Sequence, residues 1–173
     1  SRAMPPRGRH GFDIAPSIGP EPTAARALAD LACCPDCLAD VLDPAGRYYR
    51  YPFTSCTQCG PRYSIQAAVP YDRARTAMRA FPLCPACRAE YAEPGGRRFH
   101  AQAIACPDCG PRLAMLDRDG TVLASGDAAL AAAVTCVTGG GILALKGLGG
   151  YQLVADARDA AAVTTLRERK RRP

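Results

Sequence analysis

Eight of the ten cysteines in this chain form four Cys-x-x-Cys pairs, and the spacing between the pairs repeats. The pairs begin at Cys34, Cys56, Cys84 and Cys106. Eighteen residues separate the first pair from the second, and eighteen again separate the third from the fourth. A shift of fifty residues aligns 34–62 with 84–112 without a gap, and twelve of the twenty-nine positions are then identical. The sequence therefore predicts an internal duplication in which each copy carries two pairs.

Each copy contains one full set of tetrahedral metal ligands. A two-residue spacer lets both thiolates of a pair turn onto one ion, and two pairs give a closed four-cysteine site of the structural zinc type. Gly60 and Gly110 follow the second pair of each copy and are expected to adopt a left-handed backbone, which glycine allows. Redox dithiols or disulfides could explain one pair, but four pairs in a duplicated frame favour metal. Iron in a rubredoxin-like site is also compatible with the spacing.

The duplication also predicts which pairs share an ion. A cross-braced arrangement would join the first pair to the third, but an ancestral single copy had to bind its ion alone. We therefore predict one ligand set within each copy. Site 1 consists of Cys34, Cys37, Cys56 and Cys59, and site 2 consists of Cys84, Cys87, Cys106 and Cys109.

Three further residues could compete for metal but are not predicted to bind it. Cys33 adjoins a ligand and is expected to be an exposed bystander. Cys136 lies in an alanine-rich helical run and is expected to be a small core residue. His100 aligns with Arg50 of the first copy, which offers no imidazole there, so we predict a packing or hydrogen-bonding role.

Composition excludes some classes of protein. No apolar run reaches transmembrane length, and the first residues do not resemble a signal peptide, so a cytoplasmic protein with reduced thiols is expected. The formal charge is +6. Because each zinc ion with four thiolates carries −2, two filled sites would bring the chain to about +2. Five of the basic residues cluster in 167–172. Without a broad basic face, we do not expect nucleic-acid binding.

The chain divides into three segments. Residues 1–32 are rich in proline, glycine and alanine, with a short strand expected at 12–14 and a helix at 23–31. Residues 33–112 contain the two units, 33–62 (finger 1) and 83–112 (finger 2). Their apolar residues are too sparse for a large core, so metal is expected to staple a small α+β fold. A helix is predicted at 72–80, between the fingers.

After residue 112 the pattern changes to alternating strand and helix signals. The predicted elements, in order, are strands 113–116 and 121–124 of a hairpin, a helix at 128–137 capped by Asp127, a buried strand at 142–145, a strand at 151–154, and a helix capped by Asp159 that carries Ala162, Val163 and Leu166 on one face.

Two features of this segment could bind phosphate. Lys146 precedes a glycine-rich run at 147–150, whose backbone N–H groups could cradle an anion. The run is not a Walker A motif, because the lysine precedes the glycines and no Ser or Thr follows it. A tight inter-strand turn with a surface lysine is the simpler interpretation. The second feature is the basic cluster that contains Lys170 and Arg172. Its simpler interpretation is a solvated helix end whose positive charge interacts favourably with the helix dipole.

Several longer runs carry a resemblance to a known family. They lie at 49–65, 70–73, 97–102 and 146–150, together with the cysteine spacing itself. On these motifs the chain resembles the HypF family, the carbamoyltransferases of NiFe-hydrogenase maturation. The resemblance places the end of an N-terminal acylphosphatase domain at 12–17, the paired zinc fingers at 33–112, and the opening of a YrdC-like α/β domain at about 125–173.

The family resemblance implies a reaction sequence in a longer protein. Carbamoyl phosphate is cleaved to carbamate, a YrdC-like domain joins carbamate to ATP as carbamoyl-adenylate, and a Kae1-like domain transfers the carbamoyl group to the C-terminal cysteine of the partner HypE. By the same resemblance, Lys146, Lys170 and Arg172 are nucleotide- or substrate-binding residues. Gln152 departs from the family, which usually has histidine there.

The resemblance further implies that this chain is a fragment. The acylphosphatase body, the rest of the YrdC-like domain and the Kae1-like domain would lie outside it, with 1–32 as the linker from the first of these and 113–173 as the N-terminal part of the second. No catalytic residue is expected within these residues, which should be inactive alone. The alternative is a free-standing structural zinc module that binds a protein or nucleic acid. The reading frame beyond residue 173 would distinguish the two.

Overall fold

The structure is a computed structural model that describes residues 28–172. The strand expected at 12–14 lies outside the described residues, as does most of the helix expected at 23–31. The described end of that helix, 28–31, is not helical. Leu31 instead forms an antiparallel bridge with Gly60, with N···O distances of 3.0 Å in both directions. This bridge fixes the entry of the chain to finger 1.

The two fingers have the same local structure at the predicted shift of fifty residues. Helix α1 covers Pro35–Leu42 and helix α2 covers Pro85–Ala92. Cys34 and Cys84 are their N-caps, and proline follows at the first helical turn, where its missing N–H costs nothing. Each capping Sγ accepts a hydrogen bond from the backbone N–H three residues on, at 3.5 Å in α1 and 3.4 Å in α2. The predicted duplication is confirmed.

The connection between the fingers is not the predicted helix at 72–80. Two short 3-10 helices, Arg73–Arg75 and Ala77–Ala80, take its place, and Thr76 separates them. The buried Thr76 hydroxyl donates to the Arg73 carbonyl at 2.9 Å and accepts from the Met78 N–H at 3.1 Å. Because these local side-chain bonds replace those of a continuous helix, the helical periodicity of the segment gave a wrong prediction.

The apolar core lies between the fingers and around finger 2. Its buried members include aromatic, aliphatic and ligand side chains: Tyr48, Tyr51, Ile65, Met78, Cys87, Ala101, Ala103, Ile104, Ala105 and Cys106. A second buried cluster consists of the sulfurs of site 1 alone. The core is therefore small, as predicted, and both fingers contribute to it.

The remaining elements follow in the predicted order. Strands β1 (Ala114–Leu116) and β2 (Val122–Ser125) form an antiparallel hairpin, followed by helix α3 (Gly126–Thr138). Strands β3 (Leu143–Lys146) and β4 (Tyr151–Val154) form a second antiparallel hairpin, followed by helix α4 (Ala160–Lys170). Asp159 caps α4 as predicted, accepting hydrogen bonds from the N–H groups of Ala161 and Ala162.

Some details of this segment differ from prediction. Helix α3 begins one residue before Asp127, and Ser125 is its N-cap. Strand β3 is largely exposed, not buried, because within the described residues it pairs with β4 alone. Cys136 is half-buried on α3 and not a full core residue. On α4, Ala162 is buried and Val163 and Leu166 are half-buried, so that predicted face is confirmed.

Among residues 28–172, no helix combines the length and apolar character that crossing a membrane requires.

Gly60 and Gly110, which follow the second Cys-x-x-Cys pair of each finger, are needed for different structural reasons. Gly60 has φ +88°, as predicted. Gly110 does not lie in the left-handed region, so that prediction is wrong. Its lack of a side chain matters for space: an added Cβ would overlap Tyr51 Oη and lie 2.5 Å from the Ala105 Cβ. Because Tyr51 also donates to the Pro111 carbonyl at 3.0 Å, it cannot move away without losing that bond.

Replacement of Gly110 by alanine should destabilise the metal-loaded protein by about 2 kcal/mol, because a methyl group is forced into a packed site. Gly95→Ala is the matched control in the same finger, since its added Cβ would meet nothing closer than 3.8 Å. Denaturant unfolding of both variants measures the difference. Equal midpoints for the two variants would contradict this account of Gly110.

Candidate metal centre

The eight predicted ligands form two separate tetrads, and each belongs to one finger. In site 1, the Sγ–Sγ distance is 3.8 Å for both Cys34–Cys56 and Cys56–Cys59. In site 2, it is 3.7 Å for Cys84–Cys106, 3.8 Å for Cys106–Cys109 and 3.6 Å for Cys87–Cys109. The predicted pairing within each finger is confirmed, and the cross-braced alternative is wrong.

These distances fit a tetrahedral metal ion. A metal–sulfur bond of about 2.3 Å puts the corners of a tetrahedron about 3.8 Å apart. A disulfide needs its sulfurs at about 2.0 Å, so the arrangement is not one of disulfides. None of the ten cysteines forms a disulfide. Four sulfurs fill the coordination shell in each site and leave no position for water or substrate, which is the pattern of a structural site.

Backbone N–H groups prepare part of each tetrad for metal. The Cys87 N–H donates to the Cys84 Sγ and lowers the pKa of that thiol to about 7. In site 1 the Gln58 N–H donates to the Cys56 Sγ at 3.3 Å. Such hydrogen bonds stabilise the thiolate, which is the form that binds metal.

At two of the completely buried cysteines, burial opposes the charged thiolate form. Cys37 and Cys87 are both 0% exposed, and burial raises the pKa of each thiol. A cation from the opposite finger contacts each of them. Arg97 Nη1 donates to Cys37 Sγ at 3.3 Å, and Arg47 Nη2 donates to Cys87 Sγ at 3.2 Å. These two arginines align with each other under the fifty-residue shift, so the contact is reciprocal.

A network of charged residues holds the two fingers together. Arg98 is buried and contacts Asp40 of α1 and Glu90 of α2, the latter at 3.2 Å. Its guanidinium carbon lies 4.0 Å from the centre of the Tyr48 ring. Burial opposes ionisation of Asp40, but hydrogen bonds from Arg98 and Arg97 hold the pKa of this carboxyl below its ordinary value. Tyr48 and Arg98 occupy the same position of the two copies under the fifty-residue shift. The copies therefore contact each other at a position where their side chains differ.

The connecting segment is anchored by two motif residues. The Arg73 guanidinium donates to three carbonyls: those of Gln102 at 2.9 Å, Ile104 at 2.8 Å and Phe81 at 2.6 Å. The Tyr71 hydroxyl donates to the Pro61 carbonyl at 2.9 Å. Both side chains therefore tie the connection to the fingers.

Cys33, Cys136 and His100 lie outside both tetrads. Cys33 is exposed. The His100 ring packs against Tyr91 and Phe99, with centroid distances of 4.7 and 4.6 Å. Its backbone is left-handed at φ 53°, and the aligned Arg50 has φ 56°.

The basic residues suggested for phosphate lie in two places. Lys146 ends β3, where its Nζ donates to the Gly147 carbonyl at 3.1 Å and lies 5.6 Å from the centre of the Tyr151 ring. Lys170 ends α4, and Arg172 follows the left-handed Arg171. All three side chains of the predicted set are exposed.

A cavity of about 480 Å³ lies between finger 1 and the start of α3. Its lining includes residues 49–53 of finger 1, Pro107 and Arg112 of finger 2, and residues 125–127. Two of the lining residues form an ion pair, with Arg50 Nε 2.9 Å from Asp127 Oδ1.

Sequence reasoning missed the residues around the sulfurs. Asp40 and Glu90 are aligned acids, and Arg47 and Arg97 are aligned arginines, so both sets recur in the two copies. That recurrence was a signal that these charges serve the metal units.

Replacement of Cys34 and Cys56 together by serine should leave one metal ion per chain, bound at site 2. Each structural site contributes on the order of 10 kcal/mol, so finger 1 should lose its fold. Elemental analysis of the monomeric protein measures the ion content. The control, Cys33→Ser with Cys136→Ser, should keep two ions. Loss of both ions from the first variant alone would contradict two self-contained ligand sets.

Comparisons with known proteins agree with both parts of the chain. The HypF finger family matches residues 33–66 and 83–116, and the Sua5/YciO/YrdC family, described as telomere recombination, matches residues 135–173. The chain is 58% identical over 94% of its length to carbamoyltransferase HypF of Synechocystis and 55% identical over 94% to carbamoyltransferase HypF2 of Cupriavidus necator. It spans about a fifth of each relative, 21% and 20% respectively.

Solved structures agree with the fold. The crystal structure of HypF from T. kodakarensis superposes with a TM-score of 0.80 at 42% identity, covering 88% of this chain and 20% of that one. A full-length HypF in a phosphate- and nucleotide-bound form gives 0.75 at 41% identity, covering 90% of this chain and 20% of that one. With its duplicated four-cysteine units and the YrdC-like segment that follows them, the chain belongs to the HypF family.

Proposed function

We propose that this chain is the zinc-binding part of a HypF-type carbamoyltransferase that acts in hydrogenase maturation. The full-length protein would convert carbamoyl phosphate and ATP to carbamoyl-adenylate and transfer the carbamoyl group to the C-terminal cysteine of a HypE-type partner in the cytoplasm. Residues 1–32 would be the linker from an acylphosphatase-like domain, 33–112 the tandem zinc fingers, and 113–173 a hairpin and the N-terminal part of a YrdC-like domain.

One observation carries this proposal. Relatives named carbamoyltransferase align with 94% of the chain, and the alignment includes the fingers together with the YrdC-like segment. A free-standing zinc module would account for the fingers but not for that combination. The name of one similar structure also states that it holds phosphate and nucleotide.

The proposed role of the tetrads is structural. Zinc suits four thiolates in a tetrahedron, and a filled shell cannot activate water or polarise a substrate. The fingers would therefore support the enzyme and take no part in bond formation. Iron could occupy the same geometry, but it would add redox chemistry that the proposed reaction does not use.

Lys146, Lys170 and Arg172 are proposed to contact the nucleotide or the acyl phosphate. Formation of the adenylate brings polyanionic ATP next to carbamate, so cations must converge on the site. The glycines after Lys146 form the β3–β4 turn, in which the Gly147 N–H donates to the Gly150 carbonyl at 2.8 Å. Such a turn keeps an exposed lysine at the end of a strand, available to a phosphate.

Exchange of zinc for cadmium in the full-length protein should preserve carbamoyl transfer, because the metal contributes only to the fold. The measurement is the transfer rate to the partner protein, with circular dichroism to verify that the fold is unchanged. A large loss of rate in a correctly folded cadmium protein would contradict the structural role of the metal.

In the full-length protein, Lys146→Ala should lower carbamoyl-phosphate-dependent exchange of labelled pyrophosphate into ATP by at least about tenfold, since one cation of the site is lost. Zinc content should not change. Arg118→Ala is the control, because Arg118 is 93% exposed and lies in the β1–β2 hairpin. These 173 residues alone should give no exchange, and any attraction to ATP should weaken strongly with salt.

Two results would go against these assignments. Normal exchange in Lys146→Ala would show that this lysine is only a surface residue beside the β3–β4 turn. Exchange catalysed by the 173 residues alone would show that the catalytic site lies within this chain, and not outside it as proposed.

A further inference from the structure

Three cysteines of the two tetrads, Cys37, Cys59 and Cys87, are completely buried, so water does not reach their sulfurs to stabilise negative charge. A metal ion with four thiolates has a net charge of −2. A buried anionic group is costly unless charged or polar donors satisfy it. Cys37 and Cys87 each receive a guanidinium donor from the opposite finger, at 3.3 Å for Cys37 and 3.2 Å for Cys87.

Helix geometry explains why an arginine fits there. Asp40 follows Cys37 by three residues on α1, and Glu90 follows Cys87 by three residues on α2. Residues three apart lie on the same helix face, so each helix presents a sulfur and a carboxylate side by side. A guanidinium can donate to both at once, which an ammonium group does less well.

The observed contacts show this double donation, to a sulfur and to a carboxylate, at both metal sites. Arg97 donates to Cys37 and, through Nη2, to Asp40 at 2.5 Å. Arg47 donates to Cys87 and, through Nε, to Glu90 at 2.9 Å. Arg98 contacts both carboxylates and so fixes their positions. The same pair of contacts therefore occurs twice, each time from one finger to the other.

We propose that Arg47 and Arg97 are positioning residues for the metal ligands and that the two fingers exchange them: Arg47 of finger 1 completes site 2, and Arg97 of finger 2 completes site 1. This inference rests on the metal binding proposed above. Each ligand set still binds its own ion, but only the pair of fingers binds both ions at full affinity. Groups that hydrogen-bond to metal ligands commonly contribute about 10- to 100-fold to metal affinity.

Cadmium-113 spectroscopy of the whole chain tests the exchange directly. Each four-cysteine site gives its own resonance, which couplings to cysteine protons assign to site 1 or site 2. Arg47→Met should shift the site 2 resonance and speed cadmium loss from site 2 to a chelator by roughly 10- to 100-fold. Arg97→Met should do the same at site 1. Each variant should leave the site in its own finger nearly unchanged.

Two further variants make the test specific. Arg88→Met removes an exposed arginine that adjoins Cys87 on α2 but hydrogen-bonds to the Leu83 carbonyl, so it should shift neither resonance. Arg47→Lys keeps the charge and should shift the site 2 resonance in the same direction by less. It also provides the result for site 2 if Arg47→Met fails to fold.

The possible results separate the two proposals. Failure of the unaltered chain to bind cadmium would refute the metal binding itself. Binding of two ions with each arginine affecting the site of its own finger, or both sites equally, would overturn only the exchange.

Discussion

Five of the eight cysteines in the tetrads are buried in a chain with little apolar core, and the negative charge that metal-bound thiolates would carry there has to be compensated by nearby donors. If zinc fills both sites, four net negative charges lie within the fingers. The buried sulfurs of Cys37 and Cys87 receive guanidinium donors from across the interface. Without the opposite finger, each of these sulfurs would lose its donor. The need to neutralise the sites therefore holds the fingers together more specifically than apolar contact could.

Duplication of a single unit is enough to provide the compensating charges at both metal sites. The ancestral unit would have carried an acid on its helix and an arginine after the helix. When this unit pairs with a copy of itself, each arginine can donate to a sulfur and a carboxylate of the other unit, so the same contact forms twice. At the axis between the copies, however, equivalent residues would meet each other, and two arginines there would repel. The aligned positions Tyr48 and Arg98 differ, so that one guanidinium stacks on one ring at 4.0 Å and contacts both carboxylates. The two sequences diverged where symmetry would have cost stability.

Local signals in the sequence predicted local structure well. The Cys-x-x-Cys spacing gave both tetrads, and the alternation after residue 112 gave the order of strands and helices. Prediction failed where distant residues decide the outcome. The need for Gly110 comes from Tyr51, nearly sixty residues earlier. The crossed arginines also join residues 40 and 60 positions apart. Nothing in the spacing of the cysteines alone specifies such contacts.

Aligned residues that share a backbone but differ in side chain show how the copies acquired separate roles. Arg50 and His100 have nearly the same left-handed φ, and each N–H bonds to the matching helix carbonyl, at 2.8 and 2.9 Å. His100 turns inward between aromatic rings, which closes finger 2. Arg50 instead reaches Asp127 at the start of α3. That ion pair is exposed and contributes at most about 1 kcal/mol to stability. Arg50 therefore gives finger 1 a side-chain contact with the start of α3, and finger 2 contains most of the core.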